Sequence, residues 1–182
     1  MTKVSTKNYA RDVKVSRTQS DQLKFKQNIL VLFIITINFL LDRISKMWII
    51  NFFSSGQNEY YINPFLNFIL IWNKGIAFGF FDSENLTYHM ISLAIFIILG
   101  FIVYMIITSN KIFEKICLSI LLGGALGNFF DRLYYQAVPD FIDLHYNNFH
   151  WFVFNVSDIS ITIGIILLLI NELIKGKEKT DE

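Results

Sequence analysis

The sequence predicts an all-α membrane protein with four transmembrane helices and a small external β-hairpin or sheet on the membrane surface. Of its 182 residues, 53% are hydrophobic and only 17% are charged, which is too apolar for an ordinary soluble domain of this length. The hydrophobic residues are concentrated in long runs, and an aromatic segment rich in turn signals separates the first two. The length is that of one domain.

The predicted spans lie at about residues 28–50, 88–108, 114–133 and 151–174, each near the twenty residues that a helix needs to cross a bilayer. The first run follows a basic region, a pattern also typical of a cleavable signal peptide. However, Asn38, Asp42 and Lys46 recur at i, i+4 and i+8, which places them on one helical face. That polar face favours an uncleaved helix whose polar side turns into a bundle.

The connection between the first two spans predicts a β-hairpin. Residues 65–72 are β-branched and aromatic, Asn73, Lys74 and Gly75 form a turn signal, and residues 76–81 supply a second strand. Trp72 would lie at headgroup depth, where amphipathic aromatic side chains are enriched. His89, at the edge of the second span, is predicted to be interfacial rather than catalytic.

Basic residues predict the orientation of the chain. They are concentrated in residues 1–27, in the 109–115 loop and at the C-terminus, whereas the 51–85 and 133–152 loops contain only Lys74. By the positive-inside rule, both termini are cytoplasmic and the two long loops are external. We therefore predict a mobile basic tail at 1–27, a membrane domain at 28–175 and a charged cytoplasmic tail at 176–182.

Carboxylates inside the apolar runs indicate a functional site, because charge is costly within a bilayer and is retained there mainly for function. At about 1.5 Å per residue, Asp42 and Asp131 lie roughly 20 Å and 22 Å from the cytoplasmic ends of their helices. Asp158 lies near the external start of its span, and Asp140 precedes that span in the external loop. The similar depths predict one shared cavity on the external side.

The sequence lacks the residues that several classes of hydrolase require. There is no H-E-x-x-H segment and the three histidines are scattered, so a zinc hydrolase is disfavoured. No serine–histidine–acid set is apparent, and nothing brings Ser157 near Lys46. Paired carboxylates remain, since two close aspartates share a proton and act as acid and base. A proton- or cation-coupled transporter is the alternative, followed by an inert membrane scaffold.

Five segments together resemble the lipoprotein signal peptidases, also called signal peptidase II or prolipoprotein signal peptidases. They are DRISK at 42–46, NKGIAF at 73–78, GGALGNFFDR at 123–132, VPDF at 138–141 and FNVSD at 154–158. The resemblance implies an aspartyl endopeptidase of the bacterial cytoplasmic (inner) membrane. Such an enzyme removes signal peptides from prolipoproteins by cutting N-terminal to a diacylglyceryl-modified cysteine.

The resemblance also implies the roles of individual residues. The catalytic pair would be Asp140 and Asp158, with Asp131 as the rival member, because the sequence does not show which carboxylates face each other. The residues that would shape the site and bind substrate are Asp42, Lys46, Asn73, Gly75, Asn128, Asp131, Arg132 and Asn155. Asp143 is predicted to be a solvated loop residue.

The implied partners are a lipid-modified prolipoprotein and membrane lipid, with no metal and no organic cofactor. A net charge of +1 with basic residues mainly at chain ends and in one loop gives no reason to expect nucleic-acid binding, and we expect a monomer. The chain departs from the family pattern at a few positions, namely Arg43, Lys74, Ile76, Pro139 and Ser157. None of these departures removes a carboxylate.

Overall fold

The fold is known from a computed structural model, which describes residues 6–56, 59–74, 85–147 and 149–178. Within these residues there are four helices and four strands, and the strands occur as two consecutive pairs. They are α1 (Thr6–Phe53), β1 (Glu59–Asn63), β2 (Leu66–Asn73), α2 (Asn85–Thr108), α3 (Ile112–Tyr135), β3 (Val138–Tyr146), β4 (Phe149–Phe154) and α4 (Val156–Glu178).

Each helix contains a segment long and apolar enough to cross a membrane, which confirms the predicted four spans. These segments are Gln19–Phe53, Tyr88–Thr108, Ile112–Tyr135 and Val156–Gly176. Helix α3 is central and packs against the other three helices. Its apolar contacts with α1 and α2 form a buried cluster of Val31, Leu99, Ile102, Ile106, Leu118 and Leu122.

Small residues on α3 let its neighbours approach closely. A side chain at Gly123 would meet the α1 backbone at Ile35, and one at Gly124 would meet the α4 backbone at Ser157. Close helix approach at small residues is a main source of packing energy in membranes, where helix association has no hydrophobic driving force. The glycines of the 123–127 segment therefore bring α1, α3 and α4 together around one line of contact.

The strands form one antiparallel sheet in the order β1-β2-β3-β4. It lies at the end of the bundle where α1 and α3 finish and α4 begins. Phe141 of β3 packs with Ile49 and Phe53 of α1 in a second buried cluster, which attaches the sheet to the bundle. The sheet thus holds β3 directly beside the start of α4.

The predicted hairpin is partly confirmed. The 65–72 segment forms most of β2, but the partner that the structure describes is β1, joined through Pro64 and Phe65. The other predicted partner, residues 76–81, and Gly75 lie outside the described residues. The sequence reasoning did not consider residues 59–63 as a strand, although tyrosines and an isoleucine in that segment suit one.

Two predicted boundaries are wrong. The fourth span was expected from Trp151, but residues 149–154 form β4 and the helix begins at Val156. This segment is rich in aromatic residues and pairs with β3, so sheet formation overrides the apolar run. The first span was expected from residue 28, whereas the helix already begins at Thr6 and residues 6–27 continue α1, because extending an existing helix costs far less than nucleating one.

Gly127 provides a test of the close approach between the helices. An added Cβ there would overlap Asp42 Oδ2 of α1 and Ser157 Oγ of α4, whereas one at Gly100 of α2 would meet nothing within 4 Å. We expect Gly127→Ala to destabilise the fold by about 1–3 kcal/mol, as overpacking does. The control Gly100→Ala should leave stability unchanged or raise it. Thermal unfolding in one detergent measures both, and equal midpoints would contradict the packing argument.

Candidate active site

The turn into α4 fixes the position of Asp158. Asn155 immediately precedes the helix, and its Oδ1 accepts a hydrogen bond from the backbone N–H of Asp158 at 3.2 Å. In return, Asp158 Oδ2 accepts the backbone N–H of Asn155 at 3.0 Å. This reciprocal arrangement is a capping box, which satisfies two backbone donors left free at a helix start. The carboxylate is also stabilised by the positive end of the helix dipole.

Asp140 of β3 lies beside this turn. Its Oδ1 accepts a hydrogen bond from Asn155 Nδ2 at 2.6 Å, and its Oδ2 accepts one from Asn73 Nδ2 at 2.9 Å. Asn73 ends β2 and pairs with Val138 of β3, so the sheet register holds that amide in place. Asn155 therefore contacts both carboxylates, Asp140 through its amide nitrogen and Asp158 through the capping box.

A polar chain leads from Asp158 towards the middle of the bundle. Asp158 Oδ1 accepts a hydrogen bond from Asn128 Nδ2 at 2.8 Å. The oxygen of the same amide, Asn128 Oδ1, accepts one from Lys46 Nζ at 2.7 Å. Asn128 of α3 thus links Lys46 of α1 to Asp158 of α4. Its amide oxygen accepts a hydrogen bond from Lys46, and its amide nitrogen donates one to Asp158.

Lys46 is the centre of a buried charged cluster. Its ammonium donates to Asp131 Oδ2 at 2.6 Å and to Asp42 Oδ2 at 3.0 Å. Arg43 also contacts both carboxylates, so the cluster contains two cations and two anions. Asp42 and Asp131 are fully buried and Lys46 is 1% exposed. Buried charges are tolerated when they are paired in this way.

The charged cluster also reaches α4 and the rim of the site. Asp42 Oδ1 accepts the backbone N–H of Ser157 at 3.1 Å, which satisfies a third backbone donor at the start of α4. Arg132 is buried on α3, and its charge acts on Asp140 and Asp158. Tyr88 of α2 donates a hydrogen bond to the carbonyl oxygen of Arg132.

The surroundings of Asp140 alter its ionisation. Burial raises the pKa of Asp140 to about 6, since its charged form loses hydration, and the negative charge of Asp158 acts in the same direction. The hydrogen bonds from Asn73 and Asn155 and the charge of Lys46 oppose this shift. A carboxyl with a pKa near neutrality can both release and accept a proton at physiological pH, which suits acid–base catalysis.

The structure brings together nearly all of the predicted site residues. Those that it places in one connected group are Asp42, Lys46, Asn73, Asn128, Asp131, Arg132, Asp140, Asn155 and Asp158. Gly75 lies outside the described residues. Sequence reasoning missed the role of Arg43, which balances the second buried carboxylate. A count of buried charges would have found it, because one lysine cannot neutralise two aspartates.

The prediction for Asp143 is wrong. Its side chain is 1% exposed, and it is hydrogen-bonded to His150 at 2.8 Å. His145 and His150, which seemed scattered along the sequence, face each other across β3 and β4. The hairpin between these strands was not predicted, and without it no pattern along the chain places the three side chains together.

Two carboxylates, both hydrogen-bonded to Asn155, lie at one end of the four-span bundle. This arrangement has the parts of an intramembrane aspartic peptidase. Comparison with known proteins agrees with this class. The family model described as signal peptidase (SPase) II matches residues 34–174. The chain therefore belongs to the signal peptidase II family, and it is a multi-pass bacterial membrane protein.

Individual relatives match over most of their length. The lipoprotein signal peptidase of Pelagibacter ubique (strain HTCC1062) is 44% identical over 164 residues, which cover 89% of this chain and 98% of the relative. That of Anaplasma phagocytophilum (strain HZ) is 37% identical over 156 residues, or 84% and 97% of the two chains. A solved structure described as a bacterial membrane enzyme aligns with a TM-score of 0.69 at 29% identity, covering 84% of this chain and 93% of the other.

Lys46→Met tests whether the ammonium holds the charged cluster together. The substitution leaves two buried carboxylates with one cation, and breaking a buried ion pair typically costs about 3–5 kcal/mol. We expect a large fall in the thermal unfolding midpoint in detergent, while Lys111→Met, which removes an exposed cation, should have little effect.

The double variant Lys46→Met/Asp131→Asn distinguishes charge imbalance from simple loss of a contact. It restores charge neutrality within the cluster, so it should recover part of the lost stability. Unfolding of the double variant at or below the midpoint of Lys46→Met would contradict the pairing of Lys46 with Asp131.

Proposed function

We propose that this protein is a membrane aspartic endopeptidase that removes signal peptides from prolipoproteins, cutting N-terminal to the diacylglyceryl-modified cysteine. Membership of the signal peptidase II family supports the activity. The observation that supports the site is the contact of Asn155 with both Asp140 and Asp158. A transporter would need polar groups across the membrane depth, whereas these carboxylates gather near one end of the bundle.

Asp140 and Asp158 form the catalytic pair in this proposal, and the buried position of Asp131 favours them over it. Asp131 is fully enclosed and bound to Lys46 and Arg43, which gives water no approach to its carboxylate. Asp158 is only partly buried. Asp140 lies on the adjoining strand with the raised pKa that a shared proton requires.

The proposed reaction uses the two carboxyl groups in opposite protonation states. The ionised one removes a proton from water, whose oxygen attacks the carbonyl carbon of the scissile bond, and the protonated one donates to the carbonyl oxygen. The tetrahedral intermediate then collapses, the C–N bond breaks and the amine leaves with a proton from the pair. Asn73, Asn128 and Asn155 orient the carboxylates through their hydrogen bonds. The scheme uses no metal and no organic cofactor.

Asp140→Asn and Asp158→Asn test the pair directly. Asparagine keeps the size and one acceptor oxygen but cannot transfer the proton, so each variant should lower cleavage by about 10²–10⁴-fold. The double variant should be hardly slower than either single one, because the two groups act as a unit. A lipidated precursor followed by gel electrophoresis measures cleavage, with thermal unfolding as the control for folding. Substantial activity in Asp140→Asn beside an inactive, folded Asp131→Asn would move the pair to Asp131 and Asp158.

We further propose that both termini are cytoplasmic, that the site faces the external side of the membrane and that the protein is a monomer. The distribution of basic residues supports this orientation. In a Cys117→Ala background, a membrane-impermeant thiol reagent added outside should label Gln57→Cys and not Lys111→Cys. The reverse labelling pattern would contradict this topology. A dimer detected by light scattering would contradict the proposed monomeric state.

The lipid on the substrate should accelerate cleavage by positioning the scissile bond. The polar segment after the cut would otherwise remain in water, and lipidation contributes about 0.8 kcal/mol per buried CH₂, so two acyl chains anchor it stably. That anchor would hold the bond at the height of Asp140 and Asp158. We expect a precursor with serine in place of the lipidated cysteine to be cut far more slowly than the diacylglyceryl form. Equal rates, with both precursors incorporated in the same bilayer, would show that the lipid is not recognised.

A further inference from the structure

Asp143, His145 and His150 form a second polar cluster in the sheet, separate from the proposed catalytic pair. Asp143 and His145 lie on β3, and His150 faces His145 from β4. One ligand atom from each of the three side chains lies within 4.8 Å of the others. Asp140 and Asp143 are three residues apart, and an odd spacing on a strand directs side chains to opposite faces. The side chains of Asp140 and Asp143 therefore leave β3 in different directions.

From this convergence we propose that Asp143, His145 and His150 bind a divalent transition-metal ion, of which Zn²⁺ is the best fit. His150 Nδ1 lies 2.8 Å and His145 Nδ1 3.6 Å from the same oxygen, Asp143 Oδ2. In a tetrahedral zinc site with bonds of about 2.0–2.1 Å, neighbouring ligand atoms are roughly 3.4 Å apart. These two separations lie on either side of that value, all three ligand atoms lie within 4.8 Å of one another, and the exposed His150 can shift to reach tetrahedral spacing.

The hydrogen bonding of His145 supports a ligand rather than a purely structural role. Its Nδ1 is buried and has no hydrogen-bond partner among the described residues. Leaving a buried polar nitrogen unpaired typically costs about 1–3 kcal/mol, a cost that a metal bond would remove. The two imidazole rings are nearly stacked, with centroids 5.2 Å apart.

The surroundings suit an ion with an open coordination position. The side chain of Asp143 is 1% exposed, whereas that of His150 is 56% exposed, so solvent reaches one side of the cluster. Asn67 of β2 faces Asp143, and its Oδ1 is a buried acceptor without a partner among the described residues. Three protein ligands with water in the fourth position is a common zinc arrangement. Two imidazoles favour Zn²⁺ over Mg²⁺ and Ca²⁺, which prefer oxygen ligands.

The experiment uses the full chain, purified in detergent without a polyhistidine tag and freed of metal with a chelator. Zn²⁺ alone is titrated by calorimetry. We expect one equivalent to bind the wild type and affinity to fall at least tenfold in His145→Ala, His150→Ala and Asp143→Asn. His89→Ala is the matched control, since His89 is the third histidine of the chain and lies at the start of α2. It should bind as tightly as the wild type.

Two further readouts separate coordination from a folding defect. Zn²⁺ should raise the thermal unfolding midpoint of the wild type and of His89→Ala but not that of His150→Ala, whose exposed side chain is the least disruptive to remove. Co²⁺ in place of Zn²⁺ should give the visible absorption of a low-coordinate site, lost in the same variant. Absence of binding to the wild type, equal binding by the His145→Ala variant or weakened binding by His89→Ala would each overturn the site.

The proposal of a metal site and the proposal of peptidase activity can be contradicted independently of each other. Because the proposed reaction uses Asp140 and Asp158 and none of the three metal ligands, cleavage of a lipidated precursor should continue in EDTA. Cleavage that is lost in EDTA and restored by Zn²⁺ would overturn the separation of the two sites and the metal-independent mechanism. Cleavage by a protein that does not bind Zn²⁺ would remove the metal site and leave the peptidase proposal intact.

Discussion

The buried ammonium of Lys46 constrains how helices α1 and α3 pack against each other. It is 1% exposed and hydrogen-bonded to Asp42, Asn128 and Asp131, so it pairs charges from α1 and α3 in the buried interior of the bundle. Arg43 completes the balance by contacting both carboxylates. Because an unpaired charge there would be costly, helices α1 and α3 are stable only in the register that brings these groups together.

That charged cluster extends to the proposed catalytic pair through amides. Asn128 accepts from Lys46 and donates to Asp158, while Asn155 caps α4 and donates to Asp140. An amide has a donor end and an acceptor end, so each asparagine fixes the direction of the hydrogen bonds on both sides. The charged cluster and the proposed catalytic carboxylates are therefore one hydrogen-bonded network, and we expect a change in the cluster to alter the geometry of the site.

The sheet supplies the other half of the site. It places Asp140 beside the start of α4 by pairing β3 with β2 and β4, and Phe141 anchors that strand on Ile49 and Phe53 of α1. Asp140 is held by Asn73 of β2 and by Asn155 at the end of β4. A rigid, doubly paired strand can hold a carboxyl in a buried position where its pKa rises, which a mobile loop could not do.

Hydrophobic runs, i, i+4 spacing and the motif segments were enough to predict the four spans, the polar face of α1 and nearly all of the residues that converge on the site, because these patterns depend only on neighbours along the chain. The five segments from DRISK to FNVSD also indicated the family that the comparisons confirm. The features that depend on distant partners are visible only in the folded protein, and its packing accounts for them. It made residues 149–154 a strand rather than the start of a helix, recruited Arg43 to neutralise a second carboxylate, buried Asp143 between two histidines and enclosed Asp131 within the charged cluster. These outcomes follow from strand pairing and charge balance between segments far apart in sequence, which no local pattern contains.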